Sequence, residues 1–244
     1  MKKKKISYSL ICALLALASA PHCAFAQKQT APAEASSSVT YFLSDPDNET
    51  PHKMTISIPK SYFMDGIIPD PNSTAPEFLI SVLWPSWTGD PANADETSLR
   101  ILGRIGNSGA SDVELARSLL VGVAAERPWK ESLDRPFPVD LVSPEKSTAP
   151  IPFGHGIKQL IHNKAGKRYD DSDIYVLMIS NLPKVIIVCD KPRPEDHLYS
   201  PQCQESFIFD HLYLRLGYSR TQINHWFDFM TDVQSKFSNF VVKK

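Results

Sequence analysis

The chain has 244 residues, of which 42% are hydrophobic, and this length suits one domain or two small ones. It carries 26 Lys and Arg residues against 27 Asp and Glu residues, for a net charge of −1 at pH 7. This balance argues against nucleic acid or an anionic membrane surface as the main partner, because both attract strongly basic proteins.

The first 26 residues predict a secretory signal peptide. Four lysines at positions 2–5 precede an apolar run from Ile6 to Ala20, and Ala24-Phe25-Ala26 fits an A-x-A cleavage site. The run is too short for a comfortable bilayer span, so a retained membrane helix is the weaker interpretation. Cleavage removes four lysines and no acidic residue, which gives the mature chain a net charge of −5. We therefore expect a protein of the bacterial periplasm without stable membrane insertion after cleavage.

The mature chain begins with a polar stretch and continues with strand patterns. Residues 27–38 are rich in Ala, Ser, Gln and Pro, which predicts a disordered lead-in and leaves residues 39–244 for an α+β domain. Lys53 to Pro59 alternates apolar and polar side chains and predicts a half-buried strand. Further strands are predicted at Glu77–Trp84 and around Leu99, Ile101 and Ile105.

Residues 111–152 are the least regular part of the chain. Ser111 and Glu114 fit a capping box and favour the start of a helix. Residues 118–124 also suit a buried strand, and we favour the strand for this second half. Six prolines within residues 127–152 predict a long connection, where the domain would divide if it has two lobes.

The last third of the chain has the clearest patterns. We predict a strand at Gly156–His162, an antiparallel hairpin at Asp173–Ile179 and Lys184–Cys189, and one long strand at Ser206–Tyr218. Ser219 and Gln222 fit a capping box for a final helix. Its apolar stripe has a period of 3.6 and consists of Ile223, Trp226, Phe227, Met230, Val233, Phe237 and Phe240. The predicted fold class is α+β: mostly antiparallel sheet with a C-terminal amphipathic helix packed on it.

Two cysteines, Cys189 and Cys203, remain after cleavage of the leader. In an oxidising compartment a single pair predicts one disulfide, which would close the proline-rich loop between them. A reactive thiol or metal pair is the alternative. No C-x-x-C motif or histidine cluster supports that alternative.

No motif assigns a catalytic, cofactor-binding or metal-binding residue. The stretch from Gly106 to Gly109 is similar to a nucleophile elbow around Ser108, but Ala110 stands where the elbow requires glycine. A glycine-rich turn is the simpler interpretation. The histidines lack the H-E-x-x-H spacing that places two imidazoles on one helical face.

Five residues are candidate partner contacts. Asp170, Asp171 and Asp173 form an acidic cluster, which is either a turn entering a strand or a patch offered to a basic partner. Trp87 and Trp129 flank proline-rich loops and could be exposed anchors, whereas we expect Trp84 in the core.

The C-terminal 90 residues resemble a known group of proteins through a series of short motifs. These motifs are Asp173-Ile174-Tyr175-Val176, Ile187-Val188-Cys189, Pro201-Gln202-Cys203, Tyr218-Ser219-Arg220 and Trp226. The group comprises the exported immunity proteins encoded beside bacterial type VI secretion toxins. The resemblance implies a periplasmic protein that binds and neutralises a protein toxin. It carries over no catalytic residue. It also implies a disulfide between Cys189 and Cys203.

Three functions therefore remain under comparison. The first is an immunity protein that acts by steric occlusion, with the loop 189–203 and the Trp87 region as contacts and no cofactor. The second is an envelope hydrolase whose catalytic residues, such as Ser108 or the histidines, assemble from distant positions. The third is a structural subunit of an envelope complex.

Overall fold

The computed structural model of the chain describes residues 37–44, 53–90, 92–93, 96–106, 111, 113–116, 119, 141–142, 154–160, 172–180, 182–193 and 200–242. The strands in these ranges are β1 Ser38–Ser44, β2 Lys53–Pro59, β3 Thr74–Ala75, β4 Glu77–Leu83, β5 Thr88–Gly89, β6 Ser98–Ile105, β7 Leu141–Val142, β8 Lys158–Leu160, β9 Ser172–Ile179, β10 Leu182–Asp190, β11 Gln202–Phe209 and β12 Leu212–Ser219. A 3-10 turn at Arg220–His225 precedes a C-terminal helix at Trp226–Phe240. The predicted signal peptide lies outside the described residues.

The strands form two sheets. The larger sheet has nine strands in the order β5-β4-β6-β12-β11-β10-β9-β8-β7, and its neighbouring strands are antiparallel. The smaller sheet has the order β2-β1-β3, with β1 antiparallel to β2 and parallel to β3. The prediction of an α+β fold with mostly antiparallel sheet is confirmed. The division of the domain near residues 127–152 stays a prediction.

Alternating side chains build the smaller sheet. Met54, Ile56 and Ile58 of β2 are buried and their neighbours are not, which confirms the predicted half-buried strand. β1 pairs with β2 along its whole length and buries Val39 and Tyr41 in the same core. That core continues across one face of the nine-stranded sheet to the C-terminal helix.

The predicted hairpin of β9 and β10 is confirmed, but the long strand at Ser206–Tyr218 is wrong. The chain reverses at Asp210 and His211, whose φ angles are 49° and 62°, and β11 pairs back onto β12. Two consecutive left-handed residues form the tight turn that suits a twisted hairpin. His211, which the predicted long strand would include, therefore lies in a turn.

The C-terminal helix packs on the sheet, as predicted, and buries Trp226, Phe229, Val233 and Phe237. The ring of Phe237 stacks on Phe78 of β4 with centroids 5.4 Å apart. Phe229 was missing from the predicted stripe. The remaining stripe residues of the helix, Phe227, Met230 and Phe240, are half-buried at the edge of this contact.

The predicted capping box at Ser219 and Gln222 is wrong. The chain continues from Ser219 into a 3-10 turn, and no side chain caps the helix that follows. The Ser219 hydroxyl pairs with Thr221 Oγ1 at 2.9 Å, and the Gln222 amide donates to the carbonyl of Glu96. Both side chains are therefore occupied by other partners.

The second predicted capping box is present. Ser111 N donates to Glu114 Oε2 at 2.8 Å, and Glu114 N donates to Ser111 Oγ at 3.3 Å. Leu119 is also helical, so the strand favoured for residues 118–124 is wrong at this position, while residues 118 and 120–124 lie outside the described ranges. Leu119 is fully buried in a second apolar cluster on the opposite face of the nine-stranded sheet, with Ile174, Val176, Ile186, Val188 and Tyr213.

Candidate partner-binding surface

A disulfide joins Cys189 and Cys203, which stand directly opposite each other in β10 and β11. Both side chains are fully buried. The bridge therefore pins the two strands at the point where they leave the sheet for the connecting loop. This confirms the predicted pairing. Residues 191–193 and 200–201 of the loop are described, and contact of the loop with a partner stays a prediction.

Asp173, one of the five candidate contact residues, is held inside the protein. Arg220 Nη2 lies 2.5 Å from Asp173 Oδ2, and Nη1 donates to the carbonyl of Asp190 at 2.6 Å. Gln159 Nε2 adds a longer bond of 3.4 Å to Asp173 Oδ1. One carboxylate thus ties β9 to the turn that precedes the helix. Asp170 and Asp171 lie outside the described residues, so the acidic patch stays a prediction.

Of the two tryptophans at positions 84 and 87, the structure buries the one expected at the surface, and the one expected in the core packs against the core only partly buried. Trp87 is buried rather than exposed. Its backbone N–H donates to the carbonyl of Leu83 at 2.8 Å, and this bond closes a turn after β4. The Lys236 ammonium lies 5.4 Å from the Trp87 ring centroid. Trp84 is only half-buried, and its indole N–H donates to Asp232 Oδ2 at 2.8 Å. Trp129 lies outside the described residues, and contact of either Trp87 or Trp129 with a partner stays a prediction.

An exposed apolar loop spans residues 64–73, and we call it the isoleucine loop. The side chain of Ile67 is 76% exposed and that of Ile68 is 40% exposed. Asp65 and Gly66 adopt left-handed φ angles of 53° and 67°, which turn the chain just before the two isoleucines. The sequence patterns did not identify this loop. Its only signal is an apolar pair between turn residues, Gly66 before it and Pro69 after it.

The isoleucine loop is fixed at both ends. Phe63, directly before it, is buried and forms an antiparallel bridge with Ile80 of β4. At the other end, Asn72 N donates to the carbonyl of Thr40 at 2.8 Å, and the carbonyl of Ser73 accepts from Phe42 N at 2.9 Å. The loop is therefore attached to both sheets.

A polar cleft of about 170 Å³ opens elsewhere on the surface. Its lining residues are Asn93, Glu96, Ser98, Arg100, Ser200, Gln202 and Ser219. The Ser98 hydroxyl donates to the carboxylate of Asp90, and none of the described residues that line the cleft is a histidine. Ser108, the serine considered for a hydrolase, lies outside the described residues.

The described part of the chain contains neither a membrane-spanning helix nor a cluster of metal-ligating side chains. None of its helices has the length and apolar character needed to cross a membrane. None of its His, Cys, Asp and Glu side chains gather in groups of three or more suited to a metal ion.

No family model and no curated protein sequence matches the chain. A solved immunity protein of the Stenotrophomonas maltophilia type IV secretion system is 17% identical with a TM-score of 0.56, over 78% of this chain and 90% of that chain. The Neisseria meningitidis iron-regulated outer membrane lipoprotein FrpD is 13% identical with a TM-score of 0.43, over 84% of this chain and 92% of that chain. The first likeness shows a fold shared with an immunity protein, although of a type IV system and not of the type VI systems that the sequence resemblance indicates.

Proposed function

We propose that this chain is an exported immunity protein that binds a protein toxin in the periplasm and neutralises it by steric occlusion. The toxin is one that a neighbouring cell injects through a secretion system, of type VI according to the sequence resemblance. The protein performs no chemistry in this role. It acts as a folded surface that blocks the toxin where the toxin works.

The observation that carries the proposal is the fold shared with an immunity protein over nine-tenths of that protein's length. Two features of this chain support it. The predicted leader would place the chain outside the cytoplasm, where the buried Cys189–Cys203 bridge is stable. The isoleucine loop presents apolar side chains on a fixed backbone, which is the property that a binding surface needs.

A protection assay tests the proposal. The product of the toxin gene adjacent to this chain's gene is directed to the periplasm of a sensitive strain, together with this chain made either with or without residues 1–26. The full chain should restore growth and the leaderless chain should not. Binding of the purified mature chain to an inactive variant of the same toxin is measured in parallel.

Three results would overturn the proposal. The full chain fails to protect, the leaderless form protects equally well, or the purified protein turns over an envelope substrate by itself. The last result would favour the envelope hydrolase instead.

A further inference from the structure

We propose that the isoleucine loop inserts Ile67 and Ile68 into an apolar pocket of the toxin whose rim carries Lys or Arg residues. This inference rests on the proposed function and deepens it, because it names the contact surface and the chemistry of the site that receives it. The contacts named from the sequence, Trp87 and Asp173, are buried or ion-paired within the chain. The isoleucine loop is on the surface instead.

The apolar part of the proposal follows from exposure. Ile67 has the largest exposed fraction among the described large apolar side chains, 76% against 49% for Ile179, the next in order. A single exposed apolar side chain is common on soluble proteins. Two adjacent exposed isoleucines in one loop are a more specific feature, because they can fill one pocket together.

The rigidity of the loop favours insertion over adaptation. Within the loop, Ile67 N donates to the carbonyl of Met64 and Ile68 N to that of Gly66, both at 3.0 Å. Pro69 fixes the next φ angle, and both ends are hydrogen-bonded to strands. A loop already held in one conformation loses little conformational entropy when it binds.

The basic rim follows from charge. No Lys, Arg or His residue occurs between Lys60 and Arg100, whereas that stretch holds six acidic residues: Asp65, Asp70, Glu77, Asp90, Asp95 and Glu96. Asp65 and Asp70 lie on either side of the two isoleucines and are exposed. Complementary charge around an apolar contact speeds association and excludes wrong partners. Anionic lipid would repel Asp65 and Asp70, which argues against a membrane as the occupant.

The test measures the affinity of the purified mature protein for an inactive variant of the adjacent-gene toxin. Ile67→Ser should weaken binding by about tenfold or more, since it removes most of a buried side chain from the interface. Ile179→Ser is the matched control, because Ile179 is also an exposed isoleucine but ends β9. It should change the affinity by less than about twofold. Both variants should keep the wild-type melting temperature, since both positions are exposed.

A second arm tests the charge. Asp65→Asn and Asp70→Asn together should slow association several-fold at low salt, and the difference should vanish at high salt. Asn is chosen at position 65 because it tolerates the left-handed backbone there. An association rate that does not respond to these changes overturns the basic rim.

The outcomes separate this inference from the proposed function. If the wild type binds the toxin and Ile67→Ser binds equally well, the loop is not the contact but the immunity function stands. If the wild type does not bind the toxin, both fail together. If Ile67→Ser instead abolishes binding to phosphatidylethanolamine–phosphatidylglycerol vesicles and leaves toxin binding intact, the loop belongs to a membrane contact and the inference is overturned.

Discussion

The phenol of Tyr218 donates a hydrogen bond of 3.0 Å to Glu205 Oε2 between the neighbouring strands β12 and β11. Both side chains are buried, and Glu205 Oε1 has no hydrogen-bond partner within the described residues. Burial raises the pKa of Glu205 well above its usual range, and the bond from Tyr218 offsets only part of that rise. The sheet therefore encloses a carboxyl group that stays protonated where an exposed glutamate is ionised.

Glu205→Gln should remove a pH dependence of stability. The unfolded glutamate ionises near a pKa of about 4.3, whereas the folded one keeps its proton to higher pH. Between these two pKa values the unfolded chain binds fewer protons than the folded chain, so the wild-type free energy of unfolding falls as pH rises. Gln cannot ionise, and the variant should gain stability relative to the wild type as the pH rises above about 4, where the unfolded wild-type glutamate ionises.

Urea unfolding of both proteins at several pH values measures this gain. The difference between variant and wild type is the useful quantity, because the titration of other acids is common to both. Glu77→Gln, at an exposed position of β4, serves as the control and should follow the wild type. If Glu205→Gln keeps the wild-type dependence of the free energy of unfolding on pH, the raised pKa assigned to Glu205 is wrong.

Arg220→Ala should destabilise the protein by about 2 kcal/mol, because it leaves the mostly buried carboxylate of Asp173 without its cation. It also removes the bond to the carbonyl of Asp190. Asp173→Asn should lessen the effect of Arg220→Ala, so the double variant should lose less than the sum of the two single variants. Chemical denaturation of all four proteins measures this coupling, and additive losses would contradict it.

Removal of the disulfide by Cys189→Ala and Cys203→Ala should lower the free energy of unfolding by about 3 kcal/mol. The cysteines are 14 residues apart in sequence, and a cross-link of this span restricts the unfolded chain by about that amount. Denaturation with and without reductant measures the effect. The variant should not respond to reductant, whereas the wild type reduced in denaturant should approach the variant. Equal midpoints for wild type and variant would show that the bridge does not contribute.

Regular alternation and helical periodicity made much of the fold predictable. The pattern of Lys53–Pro59 depends only on neighbouring residues, and the structure buries the expected side chains. β1 was not predicted, because Phe42, on the less buried face of this strand, is itself apolar and interrupts the alternation of apolar and polar residues. The strand Ser206–Tyr218 was predicted as one piece because neither Asp210 nor His211 is a glycine, the usual mark of a tight hairpin turn.

The candidate surface was far less predictable, because exposure depends on tertiary contacts. Trp84 and Trp87 lie three residues apart in sequence, and yet Trp87 is buried whereas Trp84 is only partly buried against the core. Ile67 would be assigned to the core from its side chain alone. Its exposure arises from the left-handed Asp65 and Gly66, which no periodic pattern encodes.

The turn between β11 and β12 allows the corrected strand to be tested directly. A non-glycine residue in the left-handed region costs about 1 kcal/mol or more, so His211→Gly should stabilise the turn, partly offset by the greater freedom of glycine in the unfolded chain. Combined with Asp210→Asn it creates Asn-Gly, the sequence that such turns prefer, and we expect a net gain of about 0.5 kcal/mol. The backbone bond from Gly106 N to the carbonyl of His211, 2.8 Å long, can form in either protein.

His211→Val is the opposing control and should destabilise the protein by about 1–2 kcal/mol, because a β-branched side chain disfavours the left-handed backbone at this position. Thermal and urea unfolding measure both changes. A gain from Val and a loss from Gly would mean that this segment is extended, as in a single continuous strand.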